Sequence, residues 1–345
     1  MPGTGAGTAP SAAVPKERLG ATAMHAKRDA QPSRSIVRAL VRTRESAIFL
    51  ALVLLMTVIG IAAPNFLGTG NLYLVSRQIS FVAIVALGEL FVILTGGIDL
   101  SVGSVMALAG MGAAYAMTIG VPPPFAVLLG ILVGLLMGAV NGALVAYVGI
   151  APFIVTLGML SLASGLVLGL TKGWPITDVP ASFLPVAQGS FLGLPIPVWI
   201  AAAIAVLAHL ALSTTAFGRR TYAIGGNEQA TFLSGIDVKR IKFVLYLIPA
   251  ACASIAGIIL VARFNSAQAD TGKGWELDAI AAAVIGGTSL AGGSGSVLGV
   301  LIGACIMGVI KNGLVLMRVS SYWQTAIVGI IIVLAAVLDR AKRRA

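Results

Sequence analysis

The sequence predicts an all-α integral membrane protein with about ten transmembrane helices. Three observations lead there. Of the 345 residues, 58% are hydrophobic and only 10% are charged, whereas a soluble domain carries about 25% charged residues. Apolar runs of about 20 residues, the length that crosses a bilayer, recur along the chain. Lysine and arginine collect in three segments outside those runs, the distribution that marks cytosolic segments.

In chain order, residues 1–45 are rich in Ala, Gly, Pro and Ser with scattered charges. That composition suits a disordered basic tail, and it is too long and polar to front a cleaved signal peptide. Predicted spans follow at 46–63, 79–98, 102–120, 125–148, 153–171, 197–213, 242–262, 296–316 and 321–338. A tenth segment, 279–291, is short and Gly-rich. It either crosses or forms a broken, re-entrant piece, which is tolerated only where protein or a water-filled cavity surrounds it. The basic stretch 339–345 closes the chain.

Of the 23 Lys and Arg residues, eight lie in 1–45. Five lie in 214–242 (Arg219, Arg220, Lys239, Arg240, Lys242) and four at the C-terminus (Arg340, Lys342, Arg343, Arg344). With all three segments in the cytosol, six spans precede the central loop and four follow it, so the short segment crosses and both termini are cytosolic. Segments 172–196 and 263–278 are then the largest outward loops.

The net charge of +11 does not point to nucleic acid, because no basic helix interleaved with aromatics is present. Cys252 and Cys305 lie in apolar stretches and allow no disulfide framework or metal-ligand spacing. His25 and His209 are isolated, so no metal is expected. Lys273 sits in Thr-Gly-Lys-Gly, but position 267 is Ala where a phosphate-binding loop needs Gly. No catalytic cluster appears, which argues against a membrane enzyme.

Gly130, Gly134, Gly138 and Gly142 recur every four residues on one span, and Gly295, Gly299 and Gly303 repeat the pattern. Positions four apart share a helix face, and a face without side chains lets another helix approach closely. There is also an internal echo. Gly96-Gly-Ile-Asp-Leu100 precedes Gly103-Ser-Val, as Gly286-Gly-Thr-Ser-Leu290 precedes Gly295-Ser-Val. Chance similarity between Gly-rich membrane segments explains it equally well.

The central loop predicts a helix of about two turns. Asn227 caps it, Glu228 suits its first turn, Gly225-Gly226 bound it before, and Gly235 ends it in a left-handed conformation. Such a helix can rest on lipid, belong to an ordinary loop, or seat a knob in a cytosolic partner.

Ionisable groups inside spans are costly, roughly 2.5–3.5 kcal/mol at the centre, so Glu89, Asp99 and Lys311 stand out. Asp99 either serves the pathway or caps the helix starting near Ser101. Lys311 is expected to snorkel to the outer face. Glu89, the deepest, has a pathway role or an internal hydrogen-bonded one. The candidate pathway residues are Glu89, Asp99, Ser101 and Asn141.

At these residues the sequence resembles permease subunits of ribose-type ABC sugar importers, from about residue 46 to 340. The resemblance rests on Gly96-Gly-Ile-Asp-Leu-Ser-Val-Gly103, Ala223-Ile-Gly-Gly-Asn-Glu228 and Leu233-Ser-Gly-Ile236. It continues through Glu276-Leu-Asp-Ala-Ile-Ala-Ala282, Gly286-Gly-Thr-Ser-Leu-Ala-Gly-Gly293 and Val319-Ser-Ser-Tyr-Trp-Gln324. The resemblance implies a permease domain over 46–338, similar to the vitamin-B12-type importer fold, with a coupling loop at 214–241. Coupling would fall to Arg219, Tyr222, Gly225, Gly226, Asn227, Glu228, Ser234, Gly235 and Ile236. It further implies a second permease copy, identical or paralogous, and a cytosolic ABC ATPase, expected as a fused double ATPase, which would carry ATP and Mg. A periplasmic or lipid-anchored sugar-binding protein would complete the system in the bacterial inner membrane. The chain itself would bind no cofactor and import a monosaccharide by alternating access. The rival expectations are an ion-coupled sugar carrier using Glu89 and Asp99, and a branched-chain amino acid ABC permease.

Overall fold

Proline and short polar caps start most of the helices. Pro123 and Pro152 open their helices in the first turn, where the missing N–H costs nothing. Asp237 accepts from Arg240 N at 3.0 Å and Ser296 from Gly299 N at 3.1 Å, each closing an orphan amide. In a computed structural model, which describes residues 44–344 together with Gly3, Gly5 and Gly7, these signals produce an almost wholly helical chain. The chain divides into two units, Met1–Leu40 and Val41–Ala345. The expected N-terminal tail, 1–45, lies outside the described residues but for Gly3, Gly5, Gly7, Arg44 and Glu45.

The helices are α1 (Arg44–Ala62), α2 (Thr69–Ile93), α3 (Val102–Thr118) and α4 (Pro123–Ala143), the last continued by a π-helical turn, Leu144–Val148. Then come α5 (Pro152–Thr171), the one-turn α6 (Pro185–Gln188), a two-residue hairpin of β1 (Ser190–Phe191) and β2 (Leu194–Pro195), and α7 (Ile196–Thr214). Two short helices, α8 (Ala216–Gly226) and α9 (Glu228–Leu233), lead into α10 (Val238–Phe264). The chain ends with α11 (Trp275–Ile285), α12 (Val297–Leu316) and α13 (Ser321–Arg344). Ser190 pairs with Pro195 and Phe191 with Leu194, antiparallel.

Helices α2 and α10 are the buried axis, packed against α3, α4, α11 and α12. Helices α1, α4, α5 and α7 turn Leu, Ile and Phe outward, among them Leu50, Ile61, Leu132, Ile154 and Leu207. An apolar exterior around a packed centre is the arrangement lipid demands.

Among the described residues, seven helices are long and apolar enough to cross a membrane, while α3 and the apolar part of α13 are shorter. Two expected spans change. The segment 79–98 becomes α2, which starts ten residues earlier and stops at Ile93, because Thr95, Gly96 and Gly97 turn back onto Val92 and Ile93 carbonyls and Gly96 takes a φ of +77°. The tenth segment becomes α11, whose 11 residues cover about 16 Å, half of a hydrocarbon core of about 30 Å. Trp275 packs edge-on against Phe81, the middle residue of α2, so α11 begins halfway along the bundle. The preceding loop must therefore dip inward to reach it.

The glycine stripes face protein. A side chain at Gly130 would strike Ala109 and Ile258, and at Gly134 it would strike Ser254 Oγ. At Gly138 it would meet Ala250, and at Gly142 Phe243, so the stripe lies along α10. Gly299 and Gly303 lie against the backbone of Gly286 and Ala282, and Gly295 against Thr288 and Leu90. The two echoing Gly-rich segments also meet: Gly293 N donates to Leu94 O at 2.9 Å, and Gly292 sits beside Gly96.

Candidate functional site

The bundle has a basic end, bearing the 214–242 loop, and a far end. At the basic end, α8 lies across the two Gly-rich segments. Tyr222 donates its hydroxyl proton to Gly295 O at 2.9 Å, and burial raises the pKa of this phenol. Gly225 is pressed against Leu94 O and Gly293 N, with no room for a Cβ. Gly226 has open space beside it. Gly225 and Gly226 precede the short helix as expected, and they do so as the last turn of α8.

Beyond the seat, Asn227 accepts from Ala230 N at 2.9 Å and starts α9. Glu228 pairs with Lys242 at 2.6 Å across the base of the turn. Ser234 donates to Ala230 O at 2.9 Å, Gly235 takes a φ of +81°, and Ile236 packs against the core. Phe232 and Leu233 are 64% and 77% exposed at the tip, and Arg219 is exposed on α8. The result is a two-helix projection with an apolar tip.

Glu89, Asp99 and Ser101, from the end of α2 and the connector after it, and Asn141 from α4 form one buried hydrogen-bonded hub. Glu89 Oε1 accepts from Asp99 N at 2.8 Å. Asp99 Oδ1 accepts from Ser101 N at 2.8 Å and from Ser101 Oγ at 2.6 Å. Asn141 Nδ2 donates to Ser101 Oγ at 2.9 Å. Asp99 thus holds the turn before α3, and Ser101 stands at the N-cap of α3 with no side-chain cap of its own. The hub ties α2, α3 and α4 together, and none of its residues lines the larger cavities.

A cavity of about 410 Å³ lies between α3, α5 and the loop joining α10 to α11, within the range of roughly 300–1,000 Å³ of small-molecule sites. Its polar lining is Ser104, Ser164, Asp270, Thr271, Lys273 and Glu276. Gly272, at a φ of +90°, brings this loop backbone to backbone with Gly103 at the start of α3. Ala267 pairs with Ile176, anchoring the loop to the segment after α5. Ser104 Oγ donates to Ser101 O at 2.8 Å, which joins the cavity wall to the hub. Sequence reasoning missed these residues because the loop was taken for an outward connection. Polar residues in a segment leading into a short apolar helix were the available signal.

Lys311 was expected to snorkel. Instead its ammonium group forms an ion pair with Asp278, only 5% exposed on α11, because α12 and α11 pack side by side.

A two-helix projection at the basic end, an apolar exterior and a polar cavity characterise a multi-pass membrane component. Residues 71–336 match the family model described as "Branched-chain amino acid transport system / permease component". The chain belongs to this ABC permease family, in its ribose-type branch. It is 46% identical to the ribose import permease RbsC of Bacillus subtilis (strain 168), over 85% of this chain and 92% of that one. It is 45% identical to RbsC of Escherichia coli (strain K12), over 87% and 94%. The D-allose permease AlsC of the same strain is 39% identical over 85% and 90%. No solved structure matches the chain.

Proposed function

We propose that this chain is the membrane permease subunit of an ATP-driven, binding-protein-dependent importer of a monosaccharide, ribose or a close relative. The observation that carries the proposal is the seat of Gly225 between Leu94 and Gly293. It makes the α8–α9 projection continuous with the Gly-rich turns that follow α2 and α11, so a push on Phe232 and Leu233 moves the bundle. The relatives' names, import permeases for ribose, allose and arabinose, favour sugar over branched-chain amino acids.

In this reading two permease copies, identical or paralogous, enclose the pathway. A cytosolic ABC ATPase, a fused double one being our expectation, grips α9 and carries ATP and Mg. A binding protein delivers sugar at the far end. The basic end and both termini face the cytosol of a bacterium, and the bundle lies in its inner membrane in a vitamin-B12-type arrangement. Sugar hydroxyls meet Ser104, Ser164, Thr271, Lys273 and Glu276 in the cavity, where donors and acceptors alternate at low cost to hydration. The hub residues Glu89, Asp99, Ser101 and Asn141 serve the pathway by holding α3, and with it Ser104, in place. Alternating access follows as the two copies rock about the fixed cavity.

The test is uptake of radiolabelled ribose into proteoliposomes holding the permease, its ATPase and its binding protein. Uptake should require ATP, fall with Lys273→Ala or Glu276→Ala, and leave nucleotide binding by the ATPase intact. Uptake that proceeds without ATP would sink the reading.

A further inference from the structure

The hub holds two carboxylates, Glu89 and Asp99, at 0% and 1% exposure. Among the described residues neither pairs with Lys, Arg or His; the ion pairs are Lys242–Glu228 and Lys311–Asp278. Three further buried oxygens there, Glu89 Oε2, Asn141 Oδ1 and the Tyr246 hydroxyl, have no hydrogen-bond partner among the described residues. The carboxamide of Asn141 faces the hub, since its other atom, Nδ2, bonds Ser101. Tyr246 reaches it from α10: its hydroxyl lies beside Gly97, in the connector that carries Asp99.

Buried charge is expensive unless compensated, and an unpaired buried oxygen adds its own desolvation penalty. One monovalent cation, together with one proton held between the two carboxyl groups, leaves no net charge there and gives the open oxygens a partner. The donors are all oxygen, which selects a hard cation over zinc or copper. Calcium takes 6–8 oxygens, and magnesium demands near-ideal octahedral geometry and keeps several waters. Three open oxygens beside an Asp99 already engaged by Ser101 suit a smaller charge. We propose that Glu89, Asp99, Asn141 and Tyr246 form an internal site for one monovalent cation of sodium size.

The site stands at one end of the connector 94–101. At the other end Leu94 holds Gly293 and meets Gly225. Occupancy therefore stiffens the link between the coupling projection and α3.

The full chain, purified in detergent, is melted in NaCl and in choline chloride at equal ionic strength, and ²²Na⁺ binding is measured in parallel. Sodium should raise the Tm saturably, by about 5 °C at a hundredfold excess over Kd, with about one ion bound per chain. Glu89→Gln, which keeps the shape, and Asn141→Leu should each abolish the sodium response. Equal melting in both salts with no bound ²²Na⁺ overturns the proposal, as does a Tm that responds only to pH, which would mean that the hub holds protons alone. A response to calcium but not sodium overturns the monovalent assignment.

Discussion

The amide of Gly293 donates to the carbonyl of Leu94 at 2.9 Å, joining two Gly-rich turns that lie some two hundred positions apart in the chain. Gly225 rests on that bond, with Leu94 O on one side and Gly293 N on the other. Three segments thus share a junction that leaves no space for a β-carbon.

The junction separates two adjacent glycines. Gly225→Val forces the three backbones apart, an overpacking cost of about 1–3 kcal/mol. Sugar uptake should fall about tenfold or more while membrane insertion persists. Gly226→Ala, with open space beside it, should accumulate and assemble as the wild type does. Uptake and ATPase activity in reconstituted complexes decide it, and equal loss in both variants would argue against the seat.

Gly134 and Gly138 allow α4 to lie on α10 at Ser254 and Ala250. Leucine at either position should lower the yield of folded protein severalfold. Gly329→Leu, on α13 with nothing beside it, is the control and should express normally. The measurement is the monodisperse fraction on size exclusion after detergent extraction.

Lys311→Met leaves Asp278 buried without its partner. Breaking such a pair costs about 3–5 kcal/mol, whereas replacing both members by apolar groups is often neutral. Lys311→Met should therefore melt well below the wild type, and Lys311→Met with Asp278→Leu should recover much of the loss. Thermal unfolding in one detergent compares the three.

With Cys252 and Cys305 replaced by Ala, single cysteines report the orientation. Ser182→Cys and Gln268→Cys, both at exposed positions at the far end, should react with an impermeant maleimide in intact cells. Gln229→Cys, exposed on α9, should react only after the membrane is opened. The reverse pattern would place the α8–α9 projection outside, where no cytosolic ATPase could grip it.

Local signals carried much of the fold. Hydropathy and length located nine of the expected spans as helices to within a few residues at most of their ends, α2 being the main exception. The cap on α9 was legible because Asn227 and Ala230 are three residues apart and need no partner from elsewhere. The glycine period marked a close-packing face because one helix alone sets its repeat.

The remainder depended on which helices become neighbours. Hydropathy could not show that α2 stops at Ile93, because Leu94–Ile98 carries the charge-free apolar stretch onward; the stop comes from Gly96-Gly97 and from bonds back to the Val92 and Ile93 carbonyls. The difference between Gly225 and Gly226 comes from Leu94 and Gly293, and the pairing of Lys311 from Asp278 on α11. Glu89 was marked as costly from its position, but its partner Asp99, Ser101 beyond it and Asn141 on α4 were brought together only by folding. Composition and short-range spacing determine where a chain enters and leaves the bilayer, since lipid acts on each segment separately. Which polar groups satisfy one another inside is decided by long-range packing, because in hydrocarbon a polar group must find its partner within the protein.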